Sequence, residues 1–117
     1  MKNVLDKKRP ICPQLCEQIC IGIGNGKYKE GERLPSVREM AIEAGVNPNT
    51  VQRAYETLEM QGVVYSVRGS GWFITEKEAF SNQILDKLLR EKTEEYFKAM
   101  KTLGMSEEQI KEYVKEW

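Results

Sequence analysis

SVREMAIEAGVNPNTVQRAYETLEMQ, residues 36–61, is the most informative stretch of this 117-residue chain. Ser36, followed three residues later by Glu39, has the spacing of a capping box and predicts a helix from Val37. Gly45 ends that helix, because the residue just past a helix terminus often takes the left-handed conformation that glycine tolerates best. Asn47 then caps a second helix whose first position is Pro48, where a missing N–H costs nothing. Val37, Met40 and Ala41 give the first helix an apolar face, and Val51, Ala54, Tyr55 and Leu58 do the same for the second. Two helices joined by about three residues, with glycine in the turn, form a helix-turn-helix.

The outward face of the second helix carries the chemistry. Asn49, Thr50, Gln52 and Arg53 project from its first turn and a half, and no acid occurs from Ala44 through Tyr55. Asparagine and glutamine can read adenine edges bidentately, while arginine reads guanine or holds a phosphate. In this motif the N-terminal residues of the second helix are the ones that reach bases. The plain alternative is a solvated helix face. The turn chemistry, the acid-free surface and the segment that follows all agree against it.

That segment is Val63-Val64-Tyr65-Ser66-Val67, a short strand, then the turn Arg68-Gly69-Ser70-Gly71 and a return strand Trp72-Phe73-Ile74. A hairpin placed directly after such a helix is a wing. Arg68, Gly69 and Ser70 at its tip let a guanidinium and backbone N–H groups approach a phosphate or minor groove closely. Upstream, Ile11, Leu15, Ile19 and Ile23 recur every four residues and predict a first helix, weakened at its end by Gly22, Gly24 and Gly26. Residues 1–9 read as a mobile basic arm, there either to touch phosphates or for solubility. KYKEGERLPS, residues 27–36, reads as a polar loop.

From Thr75 the character changes. Thr75 with Glu78 predicts another capped helix, ended by Gly104, and Ser106 with Gln109 caps a last one. Phe80, Ile84, Leu88, Tyr96, Phe97, Met100 and Trp117 put more apolar surface on this tail than a small winged helix can cover, which predicts a subunit interface. The expected fold is therefore mainly α with a small β-hairpin. A winged helix-turn-helix DNA-binding domain over residues 1–75 is followed by a C-terminal helical dimerisation tail over 76–117. No effector pocket can be placed on a tail this short, and whether a small molecule releases the protein from DNA is not legible in the sequence.

Composition narrows the function by exclusion. The chain has 18 basic and 18 acidic residues, so any affinity for DNA must come from local placement rather than net charge. Residues 1–75 hold 10 Lys/Arg against 8 Asp/Glu, and the remainder 8 against 10. Histidine is absent, which removes the commonest general base and metal ligand and argues against an enzyme. No cofactor and no metal site are expected. The polar N-terminus and short apolar stretches predict a cytoplasmic protein with no membrane contact. Cys12, Cys16 and Cys20 run along one stripe of the first helix. With no base beside them they read as small buried hydrophobes, a thiol or metal sensor being the alternative.

The stretches PICPQLCEQICIGI and GERLPSVREMAIEAGVNPNTVQRAYETLEMQGVVYSVRGSGWFI resemble the GntR family of bacterial transcription regulators, and more narrowly its small YtrA-like subfamily. The resemblance covers most of residues 10–74. It implies a homodimeric winged-helix repressor with a short helical tail in place of a large effector domain, of a kind that commonly controls transporter operons. The two-fold symmetry of such a dimer in turn implies an inverted-repeat operator in double-stranded DNA. Carried over residue by residue, it adds Arg38 and Asn47 to the DNA-contacting set and supports Asn49, Thr50, Gln52, Arg53, Arg68 and Gly69. Pro48 departs from the pattern, since many larger members place an arginine there, and the three cysteines have no counterpart in it. A winged helix used as a protein-interaction module remains the competing reading, because fold alone does not fix function.

Overall fold

Residues 5–76 and 83–117 are described by a computed structural model. Its elements in chain order are α1 (Ile11–Gly24), α2 (Val37–Ala44), α3 (Pro48–Met60), β1 (Val64–Val67), β2 (Gly71–Ile74), α4 (Gln83–Thr102) and α5 (Glu107–Val114). The architecture is mainly helical with one antiparallel two-stranded hairpin, β1 pairing β2 with Val64 opposite Ile74 and Val67 opposite Gly71. The chain forms two compact units that divide between Leu85 and Asp86.

The first unit is built on the three helices. Leu15 and Ile19 of α1, Met40 and Ala44 of α2, and Val51, Ala54, Tyr55 and Leu58 of α3 meet in one core, closed by Val63, Val64 and Ile74 of the wing. Burying an aliphatic side chain of this size stabilises by roughly 1.5–3 kcal/mol, so the helical stripes read from sequence are what hold the unit together. Tyr55 is its hinge pin. The ring meets Trp72 edge-on at 5.5 Å, and the hydroxyl donates to the Pro35 carbonyl at 2.7 Å. Ile84 and Leu85 pack on the edge of this same core.

Two upstream segments differ from their sequence expectations. Residues 5–9 are fastened rather than mobile: Leu5 is buried, Asp6 N–H donates to Gln14 Oε1, and Gln14 Nε2 donates to the carbonyls of Asp6 and Pro10. One buried glutamine thus satisfies a turn that would otherwise fray. The stretch over 27–36 is more than a polar loop. Tyr28 is buried with its ring where a side chain on Gly22 would stand, and Arg33 forms a bridge to Phe73, adding a third short segment beside β2. Leu34 N–H donates to the Trp72 carbonyl and Ile74 N–H to that of Glu32, which tie the segment to the wing.

The second unit consists of α4 from Asp86 onward and α5. Ser106 makes a capping box with Gln109, its Oγ accepting from the Gln109 N–H while its own N–H donates to Gln109 Oε1. Ile110 is fully buried. The described α4 starts at Gln83, and Glu78 and Phe80 lie outside the described residues. Among the described residues, no helix is long and apolar enough to cross a membrane.

Candidate nucleic-acid interface

The geometry of α3 follows from the turn that precedes it. Val46 N–H donates to the Ala41 carbonyl and Gly45 N–H to that of Ile42, the bond pair of a helix closed by a left-handed residue, with Gly45 at φ +69°. Asn47 then starts α3, its side chain accepting from the Asn49 N–H at 2.8 Å. Val51, Ala54, Tyr55 and Leu58 face the core, so Asn49, Gln52, Arg53 and Glu56 are turned outward on one exposed strip. Thr50 is half-buried at its margin. Asn47 has its carbonyl oxygen committed to the cap, leaving its amide N–H groups to meet a phosphate.

The wing is set against α3 by a carboxylate. Glu59 Oε2 accepts from the Ser66 N–H at 3.0 Å and the Ser66 hydroxyl at 2.7 Å. At the tip, Ser70 N–H donates to the Val67 carbonyl, and Gly69 holds φ +80° at the third position of that turn, a type II geometry that glycine adopts most easily. Arg68, Gly69 and Ser70 are all exposed. Arg38 stands exposed in the first turn of α2. Arg38, Arg53 and Arg68 make no ion pair with any described residue, whereas Lys87, Arg90, Lys92, Lys101, Lys111 and Lys115 in or near the tail all do. Cations without an internal partner keep their charge available to phosphates.

Three residues of this surface escaped the sequence reading. Arg33, exposed and likewise without an ion pair among the described residues, lies across the hairpin with Nε 3.1 Å from where a Cβ on Gly71 would be. Only its pairing with the wing reveals this. Lys7 Nζ donates to the Gly45 carbonyl at 2.6 Å, which brings a basic side chain to the turn before α3. Glu56 sits one turn below Gln52 and accepts from its Nε2 at 2.8 Å. The four-residue spacing signalled that pair in advance.

The cysteines pack as the sequence suggests. Cys16 and Cys20 are buried in the core and Cys12 is half-buried. Burial pushes the Cys16 thiol up to about 12, and its Sγ donates to the Ala54 carbonyl. Among the described residues, no group of three or more His, Cys, Asp or Glu could hold a metal ion. Of the tail residues expected at an interface, Leu88, Phe97 and Met100 are half-buried, Tyr96 is exposed and Trp117 is 91% exposed. Ile84 packs on the core of the first unit.

Residues 14–74 match the family described as bacterial regulatory proteins, gntR family. Over 115 residues the chain is 43% identical to the uncharacterized HTH-type transcriptional regulator YhcF of Bacillus subtilis (strain 168), covering 98% of this chain and 95% of that one. It is 34% identical to the HTH-type transcriptional repressor YtrA of the same organism, across 92% of this chain and 83% of YtrA. Among solved structures, a GntR family transcriptional regulator from Listeria monocytogenes superimposes with TM-score 0.77 at 37% identity, covering 97% and 99% of the two chains. The AraR DNA-binding domain in complex with operator ORR3 matches 55% of this chain and 77% of its own, with TM-score 0.53 and 33% identity.

Proposed function

The chain belongs to the gntR family of bacterial regulatory proteins, a DNA-binding transcription regulator, and we propose that it is a repressor working in the cytoplasm as a homodimer. The observation that carries the reading is the outward strip of α3, with Asn49, Gln52 and Arg53 exposed together beside a wing whose Arg68 has no ion pair among the described residues. Asn49, Gln52 and Arg53 enter the major groove, while Asn47, Thr50, Arg38 and the Arg68-Gly69-Ser70 tip hold the backbone on either side. The repressor assignment is supported by the similarity to YtrA, itself named a repressor.

The dimer is formed by the tail. Leu89, Tyr96, Phe97, Tyr113, Val114 and Trp117 line a trough of about 590 Å³ between α4 and α5 whose lining is mostly apolar. Leu89, Leu103 and Trp117 are each more than half exposed, apolar surface that a second copy of the tail would cover. A two-fold pair built there presents two recognition helices to successive major grooves, so the operator is an inverted repeat. Footprinting on the DNA upstream of the protein's own gene tests the whole reading. A protected inverted repeat, with transcription falling as protein is added, is expected. Binding with no sequence preference, or protection of one half-site only, overturns it.

A further inference from the structure

Glu56 is an acid on the face of α3 that meets DNA, where its charge opposes the phosphates. It is exposed, and the structure engages it in one contact on that face: Gln52 Nε2 donates to Glu56 Oε1 at 2.8 Å. A carboxylate only accepts, so the Gln52 amide can meet it in one orientation alone, NH2 toward Glu56 and carbonyl away. An exposed glutamine without such a partner is free to exchange the positions of its oxygen and nitrogen by rotating about its last bond. Glu56 removes that freedom.

Resting on the DNA-binding reading above, we propose that Glu56 is a positioning residue that fixes Gln52 to read an adenine in each operator half-site. With one N–H of Nε2 held by Glu56, Gln52 presents its second N–H and its Oε1 side by side. Adenine offers N7 as acceptor and N6–H as donor in the major groove, which matches that pair. Guanine offers two acceptors, N7 and O6, so its O6 would meet Oε1 with no proton between them. An unbraced Gln52 could turn its whole NH2 group to guanine; the braced one cannot. The acid thus trades some backbone affinity for discrimination between the two purines.

The test uses the full chain and duplexes carrying the footprinted upstream site, with each A·T pair of the half-site changed in turn to G·C. At one position per half-site, the parent is expected to prefer A·T by about tenfold, the low end of what one bidentate contact gives. Glu56→Ala should lose most of that preference at that position only, and bind mixed-sequence DNA no more weakly than the parent. Glu56→Gln should relax it as well, because an amide can donate as well as accept and so leaves Gln52 free to turn either way. In the Gln52→Ala background, Glu56→Ala should change base preference no further, whatever it does to overall affinity. A Glu56→Ala or Glu56→Gln protein that keeps the parent's full preference overturns the proposal. Arg53→Ala run alongside separates the levels. If it and Gln52→Ala lose base preference while Glu56→Ala does not, the brace alone is wrong. If all three overlay the parent, the face itself is misassigned and the brace falls with it.

Discussion

Arg53, Arg38 and Arg68 are chemically alike but placed differently, and they should fail differently. Arg53 shares the outward strip of α3 with Asn49 and Gln52, so on the proposed reading Arg53→Ala should cost roughly 1–3 kcal/mol and relax base preference. Arg38 opens α2 and Arg68 sits at the wing tip, off that strip. Their alanine variants should weaken binding uniformly across sequences and lower the salt slope by about one for each phosphate no longer held. Binding isotherms on operator and mixed-sequence DNA at several salt concentrations distinguish the two patterns. Cys16 makes a separate prediction. Its thiol is held well above the ordinary value of 9.0 chiefly by burial, and further by Cys12 and Cys20. The raised value favours the neutral form in the folded state. Its share of stability is therefore complete below pH 9 and declines as pH rises from 9 toward about 12. Alkylation of Cys16 at neutral pH should be slow unless the chain is unfolded, and a triple Cys→Ala variant should keep its DNA affinity. Release of the parent, but not the variant, by a thiol oxidant would restore the sensor reading.

At the scale of elements, the same closure recurs. Gly45 after α2, Gly62 after α3 and Gly104 after α4 each end their helix with the same pair of backbone hydrogen bonds. The start of α2 is as well defined, since Glu39 accepts from the Ser36 N–H while Ser36 Oγ accepts from the Glu39 N–H. The Ser36 backbone bond, first, and its hydroxyl, second, hold the Glu39 carboxyl below its ordinary 4.5. A lowered carboxylate contributes stability above that ordinary value and loses it as pH falls through the folded one, so Glu39→Gln should flatten the acid limb of a thermal unfolding profile below pH 4.5. Ser36→Ala should cost about 1 kcal/mol at neutral pH. The wing depends on one glycine in the same way. Gly69 has open space around a would-be Cβ but holds φ +80°, so Gly69→Ala is opposed by backbone strain alone, roughly 1–2 kcal/mol. Weaker DNA binding with an unchanged α-helical spectrum is the expected readout.

For the whole molecule, the decisive quantity is how much apolar surface the tail leaves uncovered. Ile84 and Leu85 pack against the core of the first unit, so a truncation that spares this packing ends at Leu85. A chain ending at Leu85 should fold and sediment as a monomer. It should hold a half-site only weakly, because joining two half-site contacts raises affinity by orders of magnitude through effective concentration. In the full chain, Phe97→Ala and Trp117→Ala should each weaken the dimer by roughly 1.5–3 kcal/mol, read by sedimentation against concentration. A full chain that sediments as a monomer at micromolar concentration would remove the tail from the mechanism.

Features that span no more than one or two helical turns are legible in the residue pattern alone. The Ser36–Glu39 and Ser106–Gln109 caps, the glycine stop at 45, the buried face of α3 and the glycine-tipped hairpin are encoded by spacings of three to four residues or by one residue type at a turn. Such interactions form between near neighbours whatever the rest of the chain does, so their pattern is visible in a string. Which distant residues stand beside α3 and the wing depends on the folded chain. Arg33 lies in a stretch with no period of its own, and its place beside Gly71 follows from pairing with Phe73, forty residues on. Glu59 reaches the wing only because α3 ends where Ser66 passes, and Gln14 fastens residues 5–9 with hydrogen bonds that no hydropathy pattern records. Hydrogen bonds between distant segments depend on the path of the whole backbone through space, and that path is set by the packing of the core rather than by the residues that make the bonds.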